Sequence, residues 1–213
     1  MPWFYYVVRV VVKALLMLLT NWQVRGRENV PSEGAVVVVA NHLNLADPPV
    51  LEASLGRRVV FMAKKGLFHS RLSSYFIRGL GAFPVEQGGL ARGAIRQANQ
   101  VLANNLALVV FPEGGRSKNA QLQSAFPGSA LIALRNGIPI LPVGITGTEK
   151  IKGAAWFLSR PKITINIGCP FSLPPVGSKL TKEELTELTN SIMERIAELL
   201  PPEYRGDYAG EGN

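Results

Sequence analysis

Ala35–Pro48 reads AVVVVANHLNLADP. Its apolar run, Ala35–Ala40, has the length of a strand, and an unbroken rather than alternating run marks a strand covered on both faces. Polar residues follow at once and place His42 and Asp47 five positions apart. Pro48 and Pro49 then suit the first turn of a helix, Pro48–Leu55. A second stretch repeats the plan: Leu106–Phe111 (LALVVF) runs into Phe111–Ser117 (FPEGGRS), which sets Glu113 and Arg116 three positions apart. In open α/β sheets ligands bind in the crevice outside the carboxyl ends of the strands. A base candidate and an anion-binding pair at two such ends make His42, Asp47, Glu113 and Arg116 the candidate site.

The chemistry of these residue types supports that choice. A neutral imidazole can take a proton from an alcohol as a general base. A carboxylate on its other ring nitrogen fixes the tautomer and stabilises the imidazolium that forms. Asp47 supplies that carboxylate if the loop curls back, and it also suits the cap of the following helix. The only other histidine, His69, lies in a stretch with helical spacing and is assigned to helix surface or packing.

Outward from the two loops, strand-like and helix-like segments alternate. Trp22–Val30 reads as a short strand or bridge into the domain, Arg57–Ala63 and Gly79–Val85 as strands, and Lys65–Arg78 between them as a helix. Gly88–Asn105 and Pro127–Asn136 read as helices, Ile138–Thr146 and Lys162–Gly168 as further strands. Thr181–Leu200 carries a capping box, Thr181 with Glu184, and a stripe of Leu185, Leu188, Ile192, Ile196 and Leu199. This order predicts a single α/β domain with a central, largely parallel mixed sheet flanked by helices. The expected organisation is an N-terminal membrane-associating helix over 1–24, the α/β domain over 25–203, and an unstructured tail over 204–213.

Composition narrows the class. The chain has 213 residues, a net charge of +8 and 47% hydrophobic residues, with a mean hydropathy of +0.15. One cysteine, Cys169, allows no internal disulfide and is read as packing at a strand end. Between Arg57 and Arg92 stand seven basic residues against one acid, Glu86. Nucleic-acid binding finds no motif or stacking platform beside these charges. An anionic membrane surface suits them better, each nearby cation contributing about 1 kcal/mol. The start of the chain, MPWFYYVVRVVVKALLMLLT, is interrupted by Arg9 and Lys13, so its uncharged run is far short of the roughly 20 residues of a span. Trp3, Phe4, Tyr5 and Tyr6 favour the headgroup level, and Arg9 and Lys13 are placed to snorkel. An interfacial helix is favoured over one packed on the core. Trp156, Phe157 and Leu158 form a cluster that is either buried, the favoured reading, or a second membrane-touching tip.

The two loop stretches carry a family resemblance. NHLNLADP resembles the H-x4-D block of glycerolipid acyltransferases, specifically the 1-acylglycerol-3-phosphate acyltransferase family, and FPEGGRS resembles its F-P-E-G-T-R-S block. Ile138–Thr148 (IPILPVGITGT) is similar to the fourth block. Lys64–Phe68 (KKGLF) and Gly81–Gln87 (GAFPVEQ) sit where the family has a basic segment and its second block. The resemblance implies acyl transfer from acyl-CoA or acyl-ACP (acyl carrier protein) to the 2-hydroxyl of lysophosphatidic acid, on the cytoplasmic face of a membrane and without a cofactor or metal. It implies His42 as base, Asp47 as its orienter and Arg116 on the substrate phosphate. Glu113 would position the glycerol backbone or hold Arg116. Asn41, Gly114 and Gly115 are candidates around the oxyanion.

Two positions depart from the family pattern. Gln87 stands where the family has arginine, so phosphate recognition leans on Arg116, helped by Arg92 or Arg78. Gly115 stands where it has threonine. Another acceptor, such as glycerol-3-phosphate, therefore stays open, as does a non-enzymatic basic lipid-surface protein. A hydrolase with the same base lacks any nucleophile-elbow pattern around a serine.

Overall fold

The computed structural model describes residues 2–79, 81–85, 92–174 and 180–209. In chain order the elements are α1 (Pro2–Leu19), β1 (Asn21–Arg25), β2 (Val36–Ala40), α2 (Asp47–Leu55), β3 (Val59–Lys64), α3 (Arg71–Gly79) and β4 (Ala82–Val85). There follow α4 (Arg92–Ala103), β5 (Ala107–Val110), α5 (Gly128–Asn136), β6 (Ile140–Thr146), β7 (Lys162–Ile167) and α6 (Lys182–Glu198). The Lys65–Arg78 stretch, expected as one helix, is a 3-10 turn over Lys65–Phe68 followed by α3.

Among the described residues the strands form one sheet in the order β1-β7-β6-β2-β5-β3-β4. Every neighbouring pair is parallel except β6 with β7. The α/β single domain with a mostly parallel mixed sheet thus follows from the alternating elements. β2 lies at the centre, and all five of its residues are buried. Val36, Val38 and Ala40 pack with Leu16 of α1 and Leu51 of α2. Val37 and Val39 pack on the other side with Ala98, Ala133 and Ile196 of α4, α5 and α6. A strand covered on both faces needs apolar residues at every position, which is why β2 is an unbroken valine run.

The connections decide where the site sits. From β2 the chain passes through α2 to β3, on one side of the sheet, while β6 flanks β2 on the other. β2 and β5 are direct neighbours, with Val39 opposite Val110. The loops that leave their carboxyl ends, 41–46 and 111–127, therefore emerge side by side at a switch point of the sheet.

α1 is docked on the domain rather than detached from it. Tyr5, expected at the headgroup level, is buried at 5% exposure, and Arg9 turns inward to Glu52 of α2, Nε to Oε1 3.7 Å. Burial pushes the Glu52 carboxyl up, and the Tyr5 hydroxyl and Arg9 act against that shift. The opposite face of α1 is open: Tyr6, Val7, Val10, Leu15, Met17 and Leu18 are exposed. Among the described residues no helix is long and apolar enough to cross a membrane.

Three further segments differ from their sequence expectation. The sheet starts at Asn21, because β1 pairs with β7, so the α/β unit takes in residues before position 25. Tyr204–Ala209, expected as tail, is held to the domain: the Tyr204 hydroxyl donates to Glu149 Oε1 at 2.8 Å, and Leu122 N–H donates to Tyr204 O at 2.8 Å. Cys169 is exposed rather than packed. The Thr181–Glu184 capping box forms as the sequence predicts.

Candidate active site

Asp47 is the hub of the loop that follows β2. It is the first residue of α2 and completely buried. Its Oδ2 accepts from Leu43 N–H at 2.6 Å, from Asn44 N–H at 2.7 Å and from the His42 ring, Nδ1, at 2.7 Å. The loop thus curls back on the helix start, as the spacing of His42 and Asp47 requires. Two backbone donors and an imidazole thus converge on one oxygen of the side chain. With Nδ1–H donating to Asp47, the imidazole keeps its lone pair on Nε2. The His42 side chain is 15% exposed, so it reaches the outside. Its ring is stacked on Phe111 of the neighbouring loop, centroids 4.1 Å apart and planes 19° off parallel.

Glu113 ties the two loops together. Its Oε1 accepts from His42 N–H at 2.9 Å and its Oε2 from Gln123 N–H at 3.1 Å. Ser117 N–H donates to His42 O at 2.8 Å, so the histidine backbone is fastened to the FPEGGRS segment on both sides of its Cα. Burial pushes the Glu113 carboxyl up to about 7, against the pull of the two backbone donors and with a smaller push from Asp47. Neither carboxylate oxygen pairs with Arg116, and no ion pair joins the two side chains among the described residues. Arg116 itself is exposed at the rim.

The other expected positions divide between framework and opening. Asn41 is buried, and its amide is spent on β6: Nδ2 donates to Ile145 O at 2.9 Å and Oδ1 accepts from Ile145 N–H at 2.7 Å. It clamps the ends of β2 and β6 and has no group turned to a reacting oxygen. Gly114 has φ +65°, and a Cβ there would stand 2.8 Å from the Phe126 ring. Its N–H donates to Phe111 O at 3.1 Å. Nothing lies within 4 Å of a Cβ at Gly115, so that position is open. Gln87 and the Gly88–Gly89 entry to α4 lie outside the described residues, as does the Arg92 side chain.

Some of the site was not found by sequence reasoning. Phe111 supports the His42 ring, whereas in the sequence it reads only as the end of a strand. Asn44 bridges the site loop to the β6–β7 loop through Ile151 O, 3.1 Å away. Leu45 and Phe126, both more than half exposed, stand on the two loops that make the site.

Gly114 gives a direct test of this geometry. Gly114→Ala combines a left-handed φ with a contact onto the Phe126 ring, each unfavourable to a side chain. We expect a loss of about 1–3 kcal/mol in stability by denaturant unfolding. Gly115→Ala, where space is open, is expected to stay within about 0.5 kcal/mol of the parent.

Comparison with known proteins agrees with the order of these blocks. The acyltransferase family model matches residues 21–146. The chain is 30% identical over 193 residues to the 1-acyl-sn-glycerol-3-phosphate acyltransferase of Streptococcus pneumoniae, covering 86% of this chain and 70% of that protein. It is 26% identical over 190 residues to the protein of the same name from Bacillus subtilis, covering 88% and 92%. The crystal structure of the 1-acyl-sn-glycerophosphate acyltransferase from Thermotoga maritima superimposes with a TM-score of 0.67 at 28% identity, over 88% of this chain and 76% of that one. A matched stretch running from β1 to the end of β6, and so through both site loops, makes this chain a member of the acyltransferase family.

Proposed function

We propose that the protein is a 1-acylglycerol-3-phosphate acyltransferase, which moves an acyl group from acyl-CoA or acyl-ACP to the 2-hydroxyl of lysophosphatidic acid and yields phosphatidic acid. The names of its relatives support the acceptor. The observation that carries the chemistry is the short Nδ1–Oδ2 contact between His42 and Asp47, which leaves Nε2 as the free base.

In this reading His42 Nε2 accepts the proton of the 2-hydroxyl as that oxygen attacks the thioester carbonyl. The buried Asp47 carboxylate steadies the imidazolium. The attack forms the C–O bond and turns the carbonyl into the oxyanion; collapse of the tetrahedral intermediate re-forms the carbonyl and breaks the C–S bond, and the proton on Nε2 passes to the leaving thiolate. No proton is left over. Of the Gly114–Gly115 pair, the Gly114 N–H is already engaged with Phe111 O, which leaves the Gly115 N–H as the loop's donor for the oxyanion. Glu113 holds His42 through its backbone rather than touching the acceptor. Arg116 binds the acceptor phosphate by charge-assisted hydrogen bonds.

The protein works at a membrane surface in this reading, without crossing it. The exposed apolar face of α1 rests in the lipid interface, and the basic segment around Lys64, Lys65 and Arg71 faces anionic headgroups on the cytoplasmic side.

A thiol-release assay with long-chain acyl-CoA and lysophosphatidic acid, repeated with acyl-ACP, tests the reaction. Release that requires the acceptor supports it; release without acceptor, or none with either donor, overturns it. For Arg116→Ala we expect the acceptor KM to rise about tenfold to hundredfold with a smaller change in kcat, the loss of one charged hydrogen bond. Acceptor-concentration series on parent and variant check this.

A further inference from the structure

We propose that the β6–β7 loop, residues 147–161, is a second lipid-docking tip, which together with the outer face of α1 seats the site against an anionic bilayer. This deepens the reading of the protein as an enzyme of lipid acceptors.

The tip is a built turn. Trp156–Ser159 forms a 3-10 turn closed by Leu158 N–H to Ala155 O at 3.1 Å and Arg160 N–H to Phe157 O at 3.2 Å. The Ser159 hydroxyl donates to Trp156 O at 2.7 Å, and the Trp156 and Phe157 rings meet edge to face, 6.3 Å apart. An ordered turn so held still presents its apolar side chains outward: Phe157 is 41% and Leu158 75% exposed. The sequence favours burial for this cluster; the fold half-buries Trp156 and leaves Phe157 and Leu158 uncovered. Around the turn stand four exposed cations, Lys150, Lys152, Arg160 and Lys162. The one acid among them, Glu149, is partly buried and accepts the Tyr204 hydroxyl. Apolar tips inside a ring of positive charge fit an anionic lipid surface, with the side chains in the acyl boundary and the cations at the headgroups.

Topology puts this tip beside the first lipid-facing element and on the side of the site. The loop leaves the carboxyl end of β6, the same sheet end from which the loop after the parallel strand β2 emerges. β1 pairs in parallel with β7, Asn21 opposite Lys162, so the C-terminal end of α1 arrives at this end too. Arg160 Nη2 lies 3.4 Å from Met17 O, and Asn21 N–H donates to Pro161 O at 3.0 Å. The exposed Met17 and Leu18 of α1 therefore adjoin the turn. The loop also touches the site directly, where Ile151 O accepts from Asn44 Nδ2. A second contact with the bilayer beside the C-terminal end of α1, on a different element, fixes an orientation that a single helix leaves free to roll.

Phe157→Ser/Leu158→Ser tests the tip, since both side chains are exposed and their loss leaves the core untouched. We expect sedimentation with vesicles rich in phosphatidylglycerol to show a partition coefficient about tenfold or more below the parent, two large side chains having lost their apolar burial. Lys150→Gln/Lys152→Gln is expected to weaken binding to those vesicles and to leave binding to pure phosphatidylcholine unchanged. Brominated lipid is expected to quench the Trp156 emission, the part that disappears in Trp156→Phe. Turnover of a short-chain, water-soluble lysophosphatidate should stay within about twofold of the parent in the Phe157/Leu158 variant, while turnover on vesicles falls with binding. Unchanged vesicle binding overturns the proposal, and so does an equal fall in soluble and vesicle turnover, which would mark a local effect on Asn44. Self-association that the variant abolishes while vesicle binding persists would assign the tip to a second copy of the chain and likewise overturn it. A parent without acyl transfer would defeat the reading of the reaction and leave the vesicle measurement to judge the tip.

Discussion

His42→Ala is expected to lower kcat by about 10³–10⁴-fold while the melting temperature and vesicle binding stay near those of the parent. General base catalysis contributes roughly 10²–10⁴-fold, and in the proposed mechanism the same nitrogen also returns the proton to the leaving thiolate, which argues for the upper part of that range. The ring is partly exposed and stacks on Phe111, so its removal costs little packing. Asp47→Asn provides the companion measurement. The carboxylate oxygen that orients the ring also holds two backbone N–H groups, so this variant is expected to lose both turnover and loop stability. Near-normal acceptor-dependent thiol release by His42→Ala would sink the mechanism.

Glu113→Gln is the second large effect, and it separates a positioning role from contact with the acceptor. Gln brings one NH2 where both partners, His42 N–H and Gln123 N–H, are donors. One buried donor then loses its acceptor, a cost of about 1–3 kcal/mol. The His42 backbone loosens with it, and a displacement of about 1 Å of a catalytic group can cost about 10²-fold in rate. We expect kcat to fall on that scale with the acceptor KM little changed; a pure KM effect would place Glu113 on the substrate instead. The pH dependence follows from the raised carboxyl. Burial lifts it from 4.5 to about 7, so its protonated form is the one the fold favours. The stability associated with this group is fully present below about pH 4.5 and is lost as pH rises towards 7. The Gln variant does not titrate. Its deficit relative to the parent is therefore expected to be largest below pH 4.5 and to shrink above pH 7, which urea unfolding across that range measures.

Much of this protein was legible in its residues because the signals are local. The valine run of β2 reflects burial on both faces, the Thr181–Glu184 box reflects the unmet N–H groups of a helix start, and the five-residue spacing of His42 and Asp47 spans a single loop. The ring of cations on residues 150–162 could be counted in the sequence as well. What lay beyond it depends on neighbours distant in the chain. That Glu113 holds the His42 backbone follows from β2 and β5 lying side by side, and no pattern in either stretch specifies that pairing. Asn41 reads as a polar group at a strand end, and only the position of β6 commits its amide to Ile145. Tyr204 reads as the start of a tail, and only the fold brings Glu149 and Leu122 beside it. The apolar triplet at Trp156–Leu158 has the composition of a core segment, yet only Trp156 is half-buried and nothing covers Phe157 and Leu158. Residue chemistry alone thus determined the class of fold and the pairing of His42 with Asp47, because both are set by interactions within a few residues. Tertiary structure decided which face of α1 is open, what Glu113 holds, and that Phe157 and Leu158 are left to solvent, because burial is fixed by which distant elements happen to meet.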